Sequence, residues 1–377
     1  MRTVPAPQIN GRARRRGAGR DGGSRAVLGI VALAAVAAIG LPACSKDRPG
    51  AAGSNAPAEV ATGDVTLVTY SSFVLDDKVK AELEASLGIT IEIDAVGDAV
   101  ESLNRAVLTA GSPEGDVFFG IDNTLIDRAL SSELFEPTSP SEASAIPESY
   151  RLDGTGRLHA VDTGPVCVDY DSAWFSRHGI APPTSLEALT EPAYKNLLVI
   201  ENPATSSPGQ VFVDAVRTKL GDGAPAYWER LKANGVEVAG SWDDAWQQRY
   251  TVSGGDRPLV LSYGSSPPAE VFYSEGKVTT PSSKVIDSTC AEQVEFAGLM
   301  KGAAHPGAGK ALLNAMLSTS WQEALPLTNF VYPIRTDAVL PDLFTQFAPR
   351  PKDPIQLAPS VGQHSDEWLA EWRGVME

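Results

Sequence analysis

Apolar positions along the chain switch repeatedly between a spacing of two and a spacing of about four. Residues 65–70 make a short β-type run. In residues 77–87, Val79, Leu83 and Leu87 recur at every fourth position, as on one face of a helix, and 89–93 returns to strand character. The unit reads as β-α-β. A helix over 99–110, a strand over 116–119 and a helix over 123–130, introduced by Gly120-Ile121-Asp122, continue the alternation. This order predicts a mainly parallel sheet covered by helices, with ligand sites beyond the carboxyl ends of its strands.

A second series begins with a strand over 166–170, followed by a short helix over 185–189, a strand over 197–200 and a helix over 209–220 after a Ser-Ser-Pro turn. Trp242-Asp243-Asp244-Ala245-Trp246 opens a further helix. The run Leu259-Val260-Leu261-Ser262 then returns to the sheet and ends in Tyr263 and the turn Gly264-Ser265-Ser266-Pro267. A ring, hydroxyls and space where a strand gives out suit the wall of a binding site, and an ordinary turn has the same composition. Beyond Val294 the pattern gives helices over 307–317 and around Trp321, a Pro-rich coil, and a last helix with Trp368 and Trp372 four apart.

A chain of 377 residues exceeds one ordinary core, which predicts two lobes with appendages. With 43% hydrophobic and 21% charged residues it has the composition of a globular protein. The amino terminus stands apart. Arg12, Arg14, Arg15, Arg16, Arg20 and Arg25 precede an uncharged, mostly apolar run over 26–43, the pattern of a secretory signal at 1–43, compatible with Sec or twin-arginine export. The run closes on Leu41-Pro42-Ala43-Cys44, similar to the lipobox of bacterial lipoproteins, in which cleavage just before the cysteine precedes its acylation. Cys44 is therefore the lipidation candidate, with a plain signal peptide or an uncleaved anchor as alternatives. Residues 44–63, rich in Gly, Ala, Pro, Ser and Asn, read as a flexible tether, placing the protein on the extracytoplasmic face of the cell membrane.

Removing the leader leaves 24 basic and 46 acidic side chains, a formal charge of −22. Nucleic acid is excluded as a natural partner, whereas a cationic ligand is compatible. Cys167 and Cys290 remain as the one pair available in an oxidising compartment, either as a disulfide or as two buried thiols. His159, His178, His305 and His364 show no metal-ligand spacing. The chain contains no Gly-x-Ser-x-Gly elbow, Walker loop or His-Glu-x-x-His, so neither a metal site nor a catalytic set is read from it.

From Val65 onward the chain resembles the thiamine-binding proteins of ABC transporters, within the iron- and polyamine-type solute-binding superfamily. The matching pieces stand in family order: Thr69-Tyr70-Ser71-Ser72-Phe73, Ser102-Leu103-Asn104-Arg105, Gly120-Ile121-Asp122-Asn123, Ser206-Ser207-Pro208-Gly209, Ser241-Trp242, Leu261-Ser262-Tyr263 with Ser265-Ser266-Pro267, and Asn329-Phe330-Val331-Tyr332-Pro333. The resemblance implies an α/β fold, the two-lobe periplasmic-binding-protein type II fold with hinge crossover strands. Lobe 1 would comprise 64–163 and 291–345, lobe 2 would comprise 164–290, and a coil and helix would fill 346–377. It also implies a monomer that carries thiamine or its phosphates to a membrane permease, with no cofactor.

Within that resemblance Tyr70, Trp242 and Tyr263 stack on or edge the ligand rings, where cation-π attraction contributes roughly 0.5–2 kcal/mol per contact. Asp98, and secondarily Asp122, would accept from the exocyclic amine; either carboxylate is equally at home as a helix cap. Ser206, Ser207 and Gly209 precede a helix and would cradle a phosphate or the hydroxyethyl oxygen. Ser265 is a polar neighbour of Tyr263. Phe330 stands where the family often has tryptophan, Ser71 where aspartate is frequent, and Tyr332 keeps the segment's tyrosine. Cys167 and Cys290 fall on the implied crossover strands. Three other readings carry weight at this point. A polyamine carrier would use carboxylates around an aromatic box, a thiaminase I-like enzyme would use Cys167 as nucleophile, and an iron carrier would need adjacent tyrosines that the chain lacks.

Overall fold

The computed structural model describes residues 63–358 and 360–377. The expected signal, Cys44 and most of the tether lie outside the described residues. The first series of elements is β1 (Gly63–Thr69), α1 (Asp77–Leu87), β2 (Ile89–Ala95), α2 (Ala99–Leu108), β3 (Val117–Asp122), α3 (Ile126–Ser131), β4 (Phe135–Glu136) and β5 (His159–Thr163). Then come β6 (Val166–Asp171), α4 (Ser172–His178), β7 (Leu198–Glu201), α5 (Ser207–Leu220), α6 (Ala224–Ala233), β8 (Glu237–Ala239), β9 (Leu259–Tyr263), α7 (Pro267–Phe272) and β10 (Ser283–Val285). The chain closes with β11 (Val294–Met300), α8 (Pro306–Met316), α9 (Thr319–Thr328), β12 (Tyr332–Pro333), α10 (Asp342–Phe347) and α11 (Ser365–Met376).

These strands form two sheets. One has seven strands in the order β12-β5-β11-β3-β1-β2, with β4 also on β11; the other has five in the order β10-β6-β9-β7-β8. The expectation of a mainly parallel sheet is corrected. Only β1, β2 and β3 run parallel in the first sheet, because β11 returns from the second sheet and inserts antiparallel between β3 and β5. Neither β5 nor β11 shows in the apolar pattern. The segment Val294–Met300 is buried throughout and so lacks the alternation of a half-exposed strand.

Local chemistry sets the helix ends. Asp76 caps α1 by accepting from the N–H groups of Lys78 and Val79, and Gly88 ends it in a left-handed conformation. The expected helix at Trp242–Trp246 is a single π-helical stretch at Asp244–Arg249. The first sheet buries Leu67, Phe118, Phe296 and Trp321, while the second buries Leu198, Ile200, Phe212 and Trp228. Helix α11, expected only as a terminal helix, packs on α5 and α6 and sinks Trp372 into the second core.

Two segments run side by side between the sheets. Gly164 donates to the Gln293 carbonyl at 3.0 Å, and Val166 and Ala291 exchange backbone bonds at 2.8 Å. The structure joins Cys167 to Cys290 by a disulfide at this point, tying one crossover to the other. A third passage follows, as the Ile355 N–H donates to the Cys290 carbonyl at 2.7 Å on the way to α11.

Candidate functional site

The carboxyl ends of β1, β3, β7 and β9 converge where the two sheets meet. Tyr70, just past β1, packs its ring on Phe73 and Phe119 at centroid distances of 6.1 and 5.8 Å. From the other sheet, Tyr263 ends β9 with its ring against Gly164, where a Cβ would come within 2.9 Å of it, so only glycine fits beneath that ring. Trp242 lies 6.3 Å from Tyr263 and stacks on Trp246 at 5.9 Å, while its indole N–H donates to Ser262 Oγ at 3.0 Å. The bond to Ser262 and the stacking on Trp246 hold the plane of the Trp242 indole.

Several links cross between the halves. Asp98 accepts the backbone N–H of Ala99 at 2.6 Å and that of Trp242 at 2.9 Å. Ser71 Oγ donates to Asp243 at 3.2 Å, and the Glu101 N–H donates to the Thr205 carbonyl at 3.1 Å. Asp122 accepts from the N–H and hydroxyl of Thr124 at 2.6 and 2.5 Å and from the Ser207 hydroxyl, which in turn accepts from Gln293 Nε2 at 2.7 Å. These bonds link the two halves directly.

Acidic groups dominate the interior. Asp98, Asp122, Asp162, Glu201 and Glu295 are all buried. Both carboxyl oxygens of Glu201 and of Asp162 lack a hydrogen-bond partner, as do the buried hydroxyls of Ser206 and Ser265. Burial raises the Asp98 and Asp122 carboxyls, opposed in each by the hydrogen bonds just described. Burial also holds Glu201 well above the carboxylate range, with the charge of Asp98 adding to the effect. Glu295 is pushed up to about 8, chiefly by burial; the Tyr70 hydroxyl, donating to it at 3.1 Å, opposes the shift. Tyr70 and Tyr263 are both pushed well above 10, first by burial and next by Glu295.

The structure brings together Tyr70, Asp98, Asp122, Ser206, Ser207, Trp242, Tyr263 and Ser265 around the meeting of the sheets, with three corrections. Tyr332 is elsewhere: it packs on Phe344 at 4.9 Å, its hydroxyl donates to the Ala348 carbonyl at 2.8 Å, and Arg350 covers its ring at 4.1 Å, so both face and hydroxyl are taken. Gly209 serves close packing, since a Cβ there would lie 2.7 Å from the Glu201 carbonyl oxygen. The Ser207 hydroxyl is committed to Asp122 and Gln293, which leaves the Ser206 hydroxyl, beside Asp98, as the one of that turn open to a ligand. Phe330 reaches across the halves to Phe272 and Tyr273 at 5.9 and 5.6 Å.

Glu201, Glu295 and Asp162 escaped the sequence reading. The available signal was a carboxylate inside or ending an apolar strand: Leu-Val-Ile-Glu, Val-Glu-Phe-Ala and His-Ala-Val-Asp. Such residues are rarely buried without a purpose. The disulfide occupies the Cys167 sulfur, so it offers no thiolate for nucleophilic chemistry. No group of His, Cys, Asp and Glu among the described residues is arranged to hold a metal ion, and no described helix is long and apolar enough to cross a membrane.

Known proteins resemble this chain in sequence and fold. The chain is 29% identical over 315 residues to the thiamine-binding periplasmic protein of Salmonella typhimurium, covering 82% of this chain and 92% of that protein. It is 28% identical over 328 residues to the thiamine-binding periplasmic protein of Brucella melitensis, covering 84% and 93% respectively. A solved periplasmic thiamin binding protein superposes with a TM-score of 0.73 at 27% identity, over 83% of this chain and 96% of that one. The two-sheet architecture is accordingly the type II periplasmic-binding-protein fold. Residues 112–348 match the model of the bacterial extracellular solute-binding proteins, and the chain belongs to that family, whose members bind solutes outside the cytoplasm.

Proposed function

We propose that this protein captures thiamine, or its mono- and diphosphate, outside the cytoplasm and hands it to the permease of an ABC importer, each sheet with its helices moving as one lobe. The observation that carries the reading is the placing of Tyr70 and Tyr263, one from each sheet, about the buried Glu295 carboxyl. A flat cation between two aromatic faces and above a carboxylate gains cation-π and coulombic attraction together. Trp242 extends the wall on the second sheet, and the free hydroxyls of Ser206 and Ser265 offer polar partners. The thiamine-binding names of the relatives support the same ligand. The reading needs binding and closure and no chemical step.

The same carboxylates favour a second ligand class, polyamines. Calorimetric titration with thiamine, its two phosphates, putrescine and spermidine decides between them. Micromolar or tighter thiamine binding supports the first reading; polyamine binding without thiamine binding replaces it. We also propose that the protein is a monomer anchored through acylated Cys44 on the tether. Labelling with radioactive palmitate in a bacterial host should be lost in Cys44→Ser.

A further inference from the structure

Asp162 and Glu295 are direct partners across two antiparallel strands of the first sheet. Side chains so placed lie on one face with Cβ atoms roughly 5 Å apart. They are 1% and 4% exposed, and both oxygens of Asp162 lack a partner. The groups that act on the pair come from several elements around it. They are Tyr70 beyond β1, Asp98 at the cap of α2, Asp122 at the end of β3 and Tyr263 at the end of β9. All are acidic or phenolic. Arg350, which reaches the neighbouring Thr163, is engaged by the Thr163 hydroxyl at 3.0 Å, by Glu292 at 3.3 Å and by the Tyr332 ring.

Two carboxylates so close, out of water and with no cation beside them among the described residues, cannot both be charged at little cost; one proton held by the pair relieves the repulsion. A permanently cationic ring seated between Tyr70 and Tyr263 supplies the missing positive charge and makes that proton redundant. Resting on the thiamine reading above, we propose that the Asp162–Glu295 pair holds one proton in the ligand-free protein and releases it to solvent when the thiazolium ring binds. The carboxyl O–H bond breaks, the proton passes to a buffer base, and the pair stays behind as the counter-charge of the ligand. Burial is the largest cause of the upward shift of both carboxyls; Glu295 raises Asp162 further while Asp162 opposes the shift of Glu295, as expected when one of the two holds the proton. The pair then selects for a fixed positive charge, because a neutral ring of the same shape gives no reason for the proton to leave.

Titration of thiamine at pH 7 in phosphate and in Tris, whose ionisation enthalpies differ widely, counts the protons released. The expected result is release approaching one proton, with affinity rising between pH 6.5 and 8 by up to about tenfold per pH unit. A neutral analogue with carbon in place of the thiazolium nitrogen should bind without buffer dependence. Glu295→Gln and Asp162→Asn should each abolish the release. Tight thiamine binding with no proton released in wild-type protein overturns the proposal and leaves the thiamine reading standing. Absence of thiamine binding overturns the reading itself. Equal release with the neutral analogue also overturns the proposal, because closure rather than charge would then expel the proton. The wild-type arms with the two ligands keep the test decisive even where a variant fails to fold.

Discussion

The Asp98 carboxylate caps α2 through the Ala99 N–H and holds the Trp242 backbone through its other oxygen, at 2.6 and 2.9 Å. One side chain therefore finishes a helix beside the first sheet and grips a loop of the second. Serine at this position keeps the cap but cannot span to Trp242. Asp98→Ser is expected to leave thermal stability nearly unchanged while lowering ligand affinity about tenfold, ~1.4 kcal/mol, the scale of one hydrogen bond to a charged group. A thermal melt checks the first effect and titration calorimetry the second, and small-angle scattering of the ligand-bound protein should show a more open average shape. An unchanged affinity would make Asp98 a helix cap and nothing more.

Tyr263 is half-buried and Tyr332 fully buried, and they should respond to mutation in opposite ways. Tyr263 faces the cleft beside Trp242, so Tyr263→Leu removes an aromatic face and should weaken ligand binding by about 1–2 kcal/mol. Tyr332 donates to the Ala348 carbonyl at 2.8 Å inside a separate apolar cluster. Tyr332→Phe should therefore lower unfolding free energy by about 1 kcal/mol and leave affinity where it was. Urea melts and tryptophan-fluorescence titrations of the two variants separate these outcomes.

The contrast between those tyrosines also marks how far the sequence could be read. The helix at Asp77–Leu87 was legible from its apolar spacing, and the Asp76 cap and Gly88 end found in the structure agree with it. Tyr263 stood out because it ends a strand, whereas Tyr70 and Trp242 came from the family resemblance; the structure places all three near the meeting of the sheets. Glu295 was not legible, because its meaning depends on Asp162, 133 positions earlier, lying opposite it across β5 and β11. No local pattern encodes that register, least of all in strands whose burial on both faces erases the alternation. Tyr332 was misread for the same reason from the other side: its partners Phe344, Ala348 and Arg350 follow a turn that the motif does not include.

Cys167 and Cys290 close a loop across 123 positions of sequence, which encloses the whole second sheet. In the chain-entropy account a loop of that length stabilises the fold by up to about 4–5 kcal/mol. Because the bond ties one crossover to the other and leaves the cleft faces unlinked, it should not restrain closure. Reduction, or Cys167→Ala with Cys290→Ala, is expected to lower the melting temperature markedly while ligand affinity changes less than threefold. Mass spectrometry of alkylated protein with and without reductant checks the bond directly, and two free thiols in the oxidised protein would remove the basis of this prediction.

The acidic interior should make the ligand-free protein less stable as pH rises. Asp162, Glu201 and Glu295 all have carboxyls held above the ordinary range, chiefly by burial, with Glu295 at about 8. Between the ordinary carboxylate range and pH 8 the folded protein keeps protons that the unfolded chain has already given up. Unfolding in that window releases protons, so each rise in pH favours the unfolded state, by up to ~1.4 kcal/mol per unit for every proton retained. The contribution of Glu295 is fully present below its unfolded value near 4 and is lost progressively up to about 8. Thermal melts followed by circular dichroism from pH 5 to 8.5 should show a falling midpoint in the wild type and a shallower fall in Glu295→Gln. Saturating thiamine should flatten the wild-type profile, because its fixed charge supplies at high pH what the retained proton supplies at low pH. A flat profile without ligand would mean that these carboxyls are ionised in the fold at neutral pH and would remove the retained proton.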